Sequence, residues 1–266
     1  MDKNIRFSIL FIVLTLLITW VYIFIIFSNP KTVGLFHFCM FFPAIIGITI
    51  NSIRYQSIKK VFHPITVKIN AKSLLFSFFY PIIFLGIIAL LVKVTNLAEF
   101  DRTQLYRLFD FRSIIFIPIG LLLMFGEEYG WRGFLLKELT ESIGNVWGSF
   151  VVGVVWATWH SPIIYGLALH NNMENPILLT LLQFVAVLVI SYPFSYSYLL
   201  SKNVLPPMIL HFTWNYYNPI VLGNIYQNVP GIMKGNISYI NGEGLAGIML
   251  GLIFMIWFNL KYSTKY

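Results

Sequence analysis

Apolar runs of about 20 residues recur from one end of this chain to the other, and each is near the length that an α-helix needs to cross a hydrocarbon layer of about 30 Å. They cover approximately Phe7–Phe27, Gly34–Ile53, Leu74–Val92, Ser113–Phe125 continuing through polar sequence to Lys137, Val146–Leu167, Ile177–Leu200, Val204–Leu222 and Gly244–Leu260. A soluble domain has no means of hiding so many such runs. With 58% hydrophobic and only 11% charged residues, and a mean hydropathy of +0.77, the chain lies far from soluble composition. The ten-residue alternation of a membrane barrel is missing from every run. The expected fold is therefore all-α: a polytopic membrane helix bundle of about eight transmembrane helices, forming a single membrane domain over 1–266.

The formal charge of +8 does not point to nucleic acid, because the basic residues are scattered through short loops and form no arm or stripe. They read as topology signals. With both termini cytoplasmic, the inside loops hold Lys3, Arg6, Arg54, Lys59, Lys60, Lys68, Lys72, Lys137, Lys202, Lys261 and Lys265. The outside loops hold only Lys31, Lys93, Arg102, Arg107, Arg112 and Lys234. The single cysteine, Cys39, excludes an intrachain disulfide, and without a paired Cys motif it argues against redox chemistry and a thiolate zinc site. Lys3 and Arg6 ahead of Phe7–Phe27 look like a signal peptide, but Ser28-Asn29-Pro30 is no small-residue cleavage site, so a retained helix is expected. Residues Glu99 to Arg112 mix both signs of charge and suggest an interfacial helix. The Ile-, Lys- and Asn-rich composition suits a bacterial plasma membrane.

Polar groups inside the apolar runs carry the functional information. The fourth run passes from Leu121-Leu122-Leu123-Met124-Phe125-Gly126 straight into Glu127-Glu128-Tyr129-Gly130-Trp131-Arg132-Gly133. A charge near a helix centre costs about 2.5–3.5 kcal/mol on insertion scales, so such residues face an interior and have partners. Glu128 and Arg132 are four apart and can pair on one helix face. Glu127 then points about 100° away without a local cation. The plainer alternative is that both glutamates meet water at a cytoplasmic helix end. His160 lies in the next run, within Trp156-Ala157-Thr158-Trp159-His160-Ser161-Pro162, and His211 and Asn215 share one face of the seventh. One shared cavity accounts for all three sets. A carboxylate near a histidine can activate water, and a His with an Asn can donate to a developing oxyanion. This chemistry suits amide hydrolysis. A His-Glu-x-x-His zinc pair and a Gly-x-Ser-x-Gly elbow are both missing, and Asp2, Asp101 and Asp110 fall outside the runs.

Glu127-Glu128-x-x-x-Arg132, His160 and His211-x-x-x-Asn215 together resemble, in order and placement, the three motifs of the CAAX-protease and bacteriocin-processing (ABI) family. The motif-bearing core runs over about 111–222. Trp156 stands where that family usually has Phe. The resemblance implies an intramembrane endopeptidase of the CAAX prenyl endopeptidase type, in which Glu127 and His160 activate water and His211 with Asn215 forms the oxyanion site. Glu128 and Arg132 would be structural or orienting. It implies a membrane-associated peptide or protein substrate and no favoured cofactor, with zinc on Glu127, His160 and His211 as the alternative. In bacteria a secreted pheromone, a bacteriocin precursor or a membrane protein replaces the prenylated substrate. A proton-coupled transporter and a non-catalytic immunity or scaffold protein are the competing readings.

Overall fold

The computed structural model describes residues 2–110, 115 and 117–263. The start of the fourth apolar run, with Arg112 and Ser113, and Lys265 lie outside the described residues.

Helix α1 (Lys3–Phe27) begins at Asp2, whose Oδ1 accepts the Asn4 N–H at 3.1 Å. It buries Ser8, Phe11, Thr15, Thr19, Ile23 and Ile26 and exposes Val13, Leu17, Phe24 and Ile25. This inverts the soluble pattern. Small and hydroxyl residues face protein and branched aliphatics face outward, as expected where lipid is the solvent. A 3₁₀ segment, Val33–Phe41, leads into α2 (Phe42–Tyr55). The single turns α3 (Ile58–Val61) and α4 (His63–Thr66) then connect to α5 (Ala71–Val94).

Next, α6 (Ile117–Glu128) passes into a π-helical stretch, Tyr129–Leu136, and then into α7 (Lys137–His170). Helices α8 (Pro176–Ser201) and α9 (Leu205–Val221), the turn α10 (Ile237–Ile240) and α11 (Leu245–Ser263) complete the bundle. Among the described residues, six segments are long and apolar enough to span: Lys3–Phe27, Val33–Tyr55, Ala71–Val94, Ile117–His170, Pro176–Ser201 and Ile237–Ser263. The polytopic helical bundle expected from the sequence is what forms. The count differs from eight because the 17-residue α9 falls below spanning length and the fourth segment contains two expected helices joined at Gly144.

Gly144 decides how the site is assembled. Its φ of 79° and ψ of 169° interrupt the helical ladder in a conformation that suits glycine. A Cβ on Gly148 would lie only 3.0 Å from the Thr140 backbone nitrogen. In a continuous helix, residues eight apart are separated by about 12 Å along the axis, so the chain doubles back here. Glu127 and His160 stand nearly the same number of residues to either side of this reversal and are brought to matching depth. The plainer alternative, glutamates meeting water at a cytoplasmic helix end, does not fit: both are buried, and the helix continues past them toward the reversal, as the run to Lys137 suggests.

The strip bearing the glutamates packs on α2 and the segment before it through glycine. A Cβ on Gly126 would sit 2.5 Å from the Met40 carbonyl oxygen, and one on Gly130 would overlap Pro43. Such close backbone approach is the usual basis of helix association in lipid. Phe11 closes the layer from α1, edge-on to Trp131 at 5.6 Å and stacked on Phe134 at 4.9 Å.

At one end of the bundle Arg54 bonds Glu138 at 2.6 Å and Asn4 at 2.9 Å, beside the Asp2–Ser142 pair. The opposite end carries an antiparallel two-stranded ribbon of β1 (Ala98–Phe100) and β2 (Met233–Gly235), joined by an Asp101–Lys234 ion pair at 2.6 Å. The ribbon is an addition to the expected all-α fold and lies outside the apolar runs. The expected interfacial helix is a 3₁₀ helix over Arg102–Phe109, with Tyr106 and Phe109 exposed.

Candidate active site

Glu127 and Glu128 end α6 just ahead of the π-helical stretch, and both are buried, as is Arg132 within it. A π-turn widens the helix by one residue per turn and is often found where side chains must be re-aimed at a functional site. Here Arg132 Nη1 donates to Glu128 Oε1 at 3.0 Å, and Nη2 donates to Ser191 Oγ at 3.3 Å. The guanidinium is sandwiched by aromatic rings, 4.2 Å from the Trp156 centroid and 4.7 Å from that of Phe194. The pairing expected from the spacing is present, and the rings supply the rest of the cation's environment.

Glu128 has a second partner that the spacing does not reveal. His211 Nδ1 lies 2.8 Å from the same Oε1 that receives Arg132. Because a carboxylate only accepts, this nitrogen carries the proton, which fixes the ring orientation and turns Nε2 away from Glu128. His211 and Asn215 are one turn apart, and both line the cavity beside Glu127 and His160. Asn215 is the exposed member, with its Nδ2 3.5 Å from Met124 Sδ.

Glu127 is held from α7. Trp156 Nε1 donates to Glu127 Oε2 at 2.8 Å, while the Trp156 carbonyl accepts from His160 Nδ1 at 2.9 Å. One residue thus orients both candidate groups, by its side chain and by its backbone. With Nδ1 bearing the proton, Nε2 of the neutral His160 ring is an acceptor. Trp159, the other indole in this motif, donates to Thr19 Oγ1 on α1 at 2.8 Å and anchors the helix in depth.

A cavity of about 350 Å³ runs from Glu127, His160 and His211 to Asn171 and Asn224, at the end of the bundle opposite Arg54 and Glu138. All six residues expected from the sequence contribute to this region: four line the cavity, and Glu128 and Arg132 lie behind it. Glu127, His160 and His211 do not converge as a ligand set; among the described residues no three His, Cys, Asp or Glu side chains are grouped to hold a metal ion. Two of the three have their nearer atoms committed, Glu127 to Trp156 and His211 to Glu128. Neither the indole bond at Trp156 nor Glu243 is legible in the sequence, since an aromatic at 156 reads as packing and a loop-like Asn-Gly-Glu-Gly run conceals the acid.

Comparison with known proteins points to the same segment of the chain. Residues 110–217, which include all six candidate positions, match the family model for type II CAAX prenyl endopeptidase Rce1-like proteins. The motif resemblance holds over this segment. CAAX prenyl protease 2 of Methanococcus maripaludis is 25% identical over 118 residues, 43% of this chain and 42% of that protein. Ammonium transporter Rh type A of Canis lupus familiaris is 31% identical over 136 residues, 50% of this chain and 30% of that protein. The matched region thus spans less than half the length of either relative.

Proposed function

We propose that this chain is an intramembrane endopeptidase that hydrolyses a peptide bond in a membrane-associated peptide through a water activated by Glu127 and His160. The observation that carries this reading is the double use of Trp156, which fixes Glu127 and His160 toward one cavity. Glu127 takes a proton from water, with His160 Nε2 accepting the water's other hydrogen bond. The hydroxide oxygen bonds to the scissile carbonyl carbon, whose π electrons move to oxygen. Asn215 Nδ2 and the Nε2–H of a protonated His211 donate to that oxyanion, the charge on His211 being balanced by Glu128. When the carbonyl re-forms, the C–N bond breaks and the leaving nitrogen takes the proton from Glu127.

This route uses no metal, and the His-Asn pair suits donation rather than ligation, Asn being a poor zinc partner. Purified protein is expected to keep its turnover after prolonged treatment with a strong zinc chelator. Loss that is restored by added zinc would replace the glutamate mechanism with a metal one.

The substrate class follows from sidedness. With Arg54 and the amino terminus cytoplasmic, the cavity opens toward the outer face, which suits an exported peptide such as a pheromone or bacteriocin precursor. Comparison of membrane and secreted peptides from wild-type and Glu127→Ala cells should show one cleavage product missing from the variant. An unchanged profile would sink the assignment.

Trp156 stands where the resembled family has Phe, and its indole N–H is the added donor. Trp156→Phe keeps a ring over Arg132 but removes the bond to Glu127, a charge-assisted hydrogen bond of about 1.5–3 kcal/mol. Turnover should fall by roughly ten- to a hundredfold with KM nearly unchanged. An unaltered kcat would show that the indole only packs.

The similarity to an ammonium transporter favours one second reading, a carrier whose buried acids and histidines line a path. Flux in proteoliposomes that depends on both His160 and His211 would support it over hydrolysis.

A further inference from the structure

The cavity contains a second carboxylate that lies outside the Rce1-like segment and takes no part in the steps above. Glu243 is buried and lines the same cavity as Glu127, at the start of the approach to α11. Its Oε1 accepts from Trp214 Nε1 at 2.9 Å and its Oε2 from the Tyr226 hydroxyl at 2.6 Å. The second distance lies in the short range of O–H···O⁻ bonds. Burial and the neighbouring Glu243 hold the Tyr226 phenol well above its ordinary range, so its hydroxyl stays a donor.

The support around Glu243 is stiff. Gln183 Nε2 on α8 donates to the Glu243 carbonyl at 2.8 Å, and the Glu243 N–H donates to Asn241 Oδ1 at 2.8 Å. Asn241 is held in turn by Asn218 on α9 and by the Gly223 carbonyl. Trp214, which bonds the carboxylate, follows His211 by three residues on α9 and precedes Asn215. The acid is therefore fixed by three elements next to the candidate oxyanion donors.

No cation is within 4 Å of this carboxylate among the described residues, and the cavity lining contains Glu127 and Glu243 but neither lysine nor arginine. That is notable in a chain of net charge +8. A carboxylate offers about four acceptor positions, and the two indole and phenol bonds use two. Even with a protonated His211 in its wall and Arg132 behind it, the region sets the carboxylates of Glu127, Glu128 and Glu243 against two cations, and a cleft of net negative charge concentrates cations, most strongly where its walls are of low dielectric.

We infer that Glu243, held by Trp214, Tyr226 and Gln183, is a specificity site for a cationic group of the substrate: a lysine or arginine side chain, or a free amino terminus close to the scissile bond. This rests on the endopeptidase reading, and it narrows the exported-peptide substrate class of that reading to peptides carrying a cation near the cleavage point. A purely structural Glu243 would tie the 223–243 loop to α8 and α9 without any preference for charge.

The test uses full-length protein in nanodiscs and an internally quenched apolar peptide carrying one lysine. It is compared with its norleucine counterpart, and each is prepared with a free and an acetylated amino terminus. Wild-type protein should show a KM for the lysine peptide lower by about tenfold or more, and Glu243→Gln should remove that difference while kcat on the norleucine peptide stays within about twofold. If instead acetylation accounts for the whole effect, the cation is the amino terminus. A wild-type enzyme indifferent to charge, or a preference that survives in Glu243→Gln, overturns the proposal. Should Glu243→Gln fail to accumulate, the wild-type peptide pair still decides it. Binding of the same peptides to Glu127→Gln protein, followed by tryptophan fluorescence, separates the two readings. Charge-dependent binding without wild-type cleavage sinks the endopeptidase and keeps the cation site, whereas cleavage indifferent to charge does the reverse.

Discussion

Glu127→Gln is expected to lower peptide hydrolysis by about a thousandfold, within the range of 10²–10⁴ that a positioned general base contributes. The change is nearly isosteric. The amide oxygen can still accept from Trp156 Nε1, so the indole, the Arg132 sandwich and the rest of the buried layer have no reason to move. What is lost is the ability to take a proton from water and return it to the leaving nitrogen. The loss should therefore appear in kcat, with substrate affinity retained and insertion and thermal stability near wild-type. His160→Gln should also lower kcat, since it removes the Nε2 acceptor. The double variant should lose much less than the sum, because two groups acting on one water form a unit. Retention of more than about a tenth of the activity in Glu127→Gln would contradict general-base catalysis at this residue.

Much of this arrangement is legible in the sequence because lipid makes polar residues conspicuous. Glu128 and Arg132 predict one another from their spacing, and they are bonded at 3.0 Å. Glu127, His160, His211 and Asn215 predict a common cavity, and all four line one. The features that stay hidden depend on long-range geometry. The polar break from Lys137 to Asn145 does announce a turn between two helices, but not that it is made at Gly144 alone, which is what brings Glu127 level with His160. The π-helical stretch starting at Tyr129 is silent: Gly130 and Gly133 mark close packing but do not specify a wider turn, and its register is set by the neighbours it packs on. His211 reads as a partner for Asn215 four residues on, yet its nearest acceptor is Glu128, 83 residues away in the chain. Glu243 escapes notice for the opposite reason: outside the apolar runs an acid attracts no attention, and only the fold shows that its loop turns inward.

Arg132→Leu should be the most destabilising single change in this region. The guanidinium is fully buried, paired with Glu128 and enclosed by Trp156 and Phe194. Breaking a buried pair by removing one partner costs about 3–5 kcal/mol, largely because the other charge stays behind without compensation. That charge is the Glu128 carboxylate, left with His211 alone. The consequence extends to the proposed chemistry: Glu128 fixes the His211 ring, so a carboxylate that moves after losing Arg132 frees His211 from the orientation that aims Nε2 at the cavity. Arg132→Leu should therefore lose stability and turnover together, which distinguishes it from Glu127→Gln. A double-mutant cycle isolates the pair. Glu128→Gln with Arg132→Leu should be less destabilised than the sum of the singles by about 0.5–3 kcal/mol, since removing both charges leaves neither stranded. Thermal unfolding of the detergent-solubilised proteins measures this. Strict additivity would mean that the two groups are solvated independently, and would remove the basis for treating Glu128 as the orienting partner of His211.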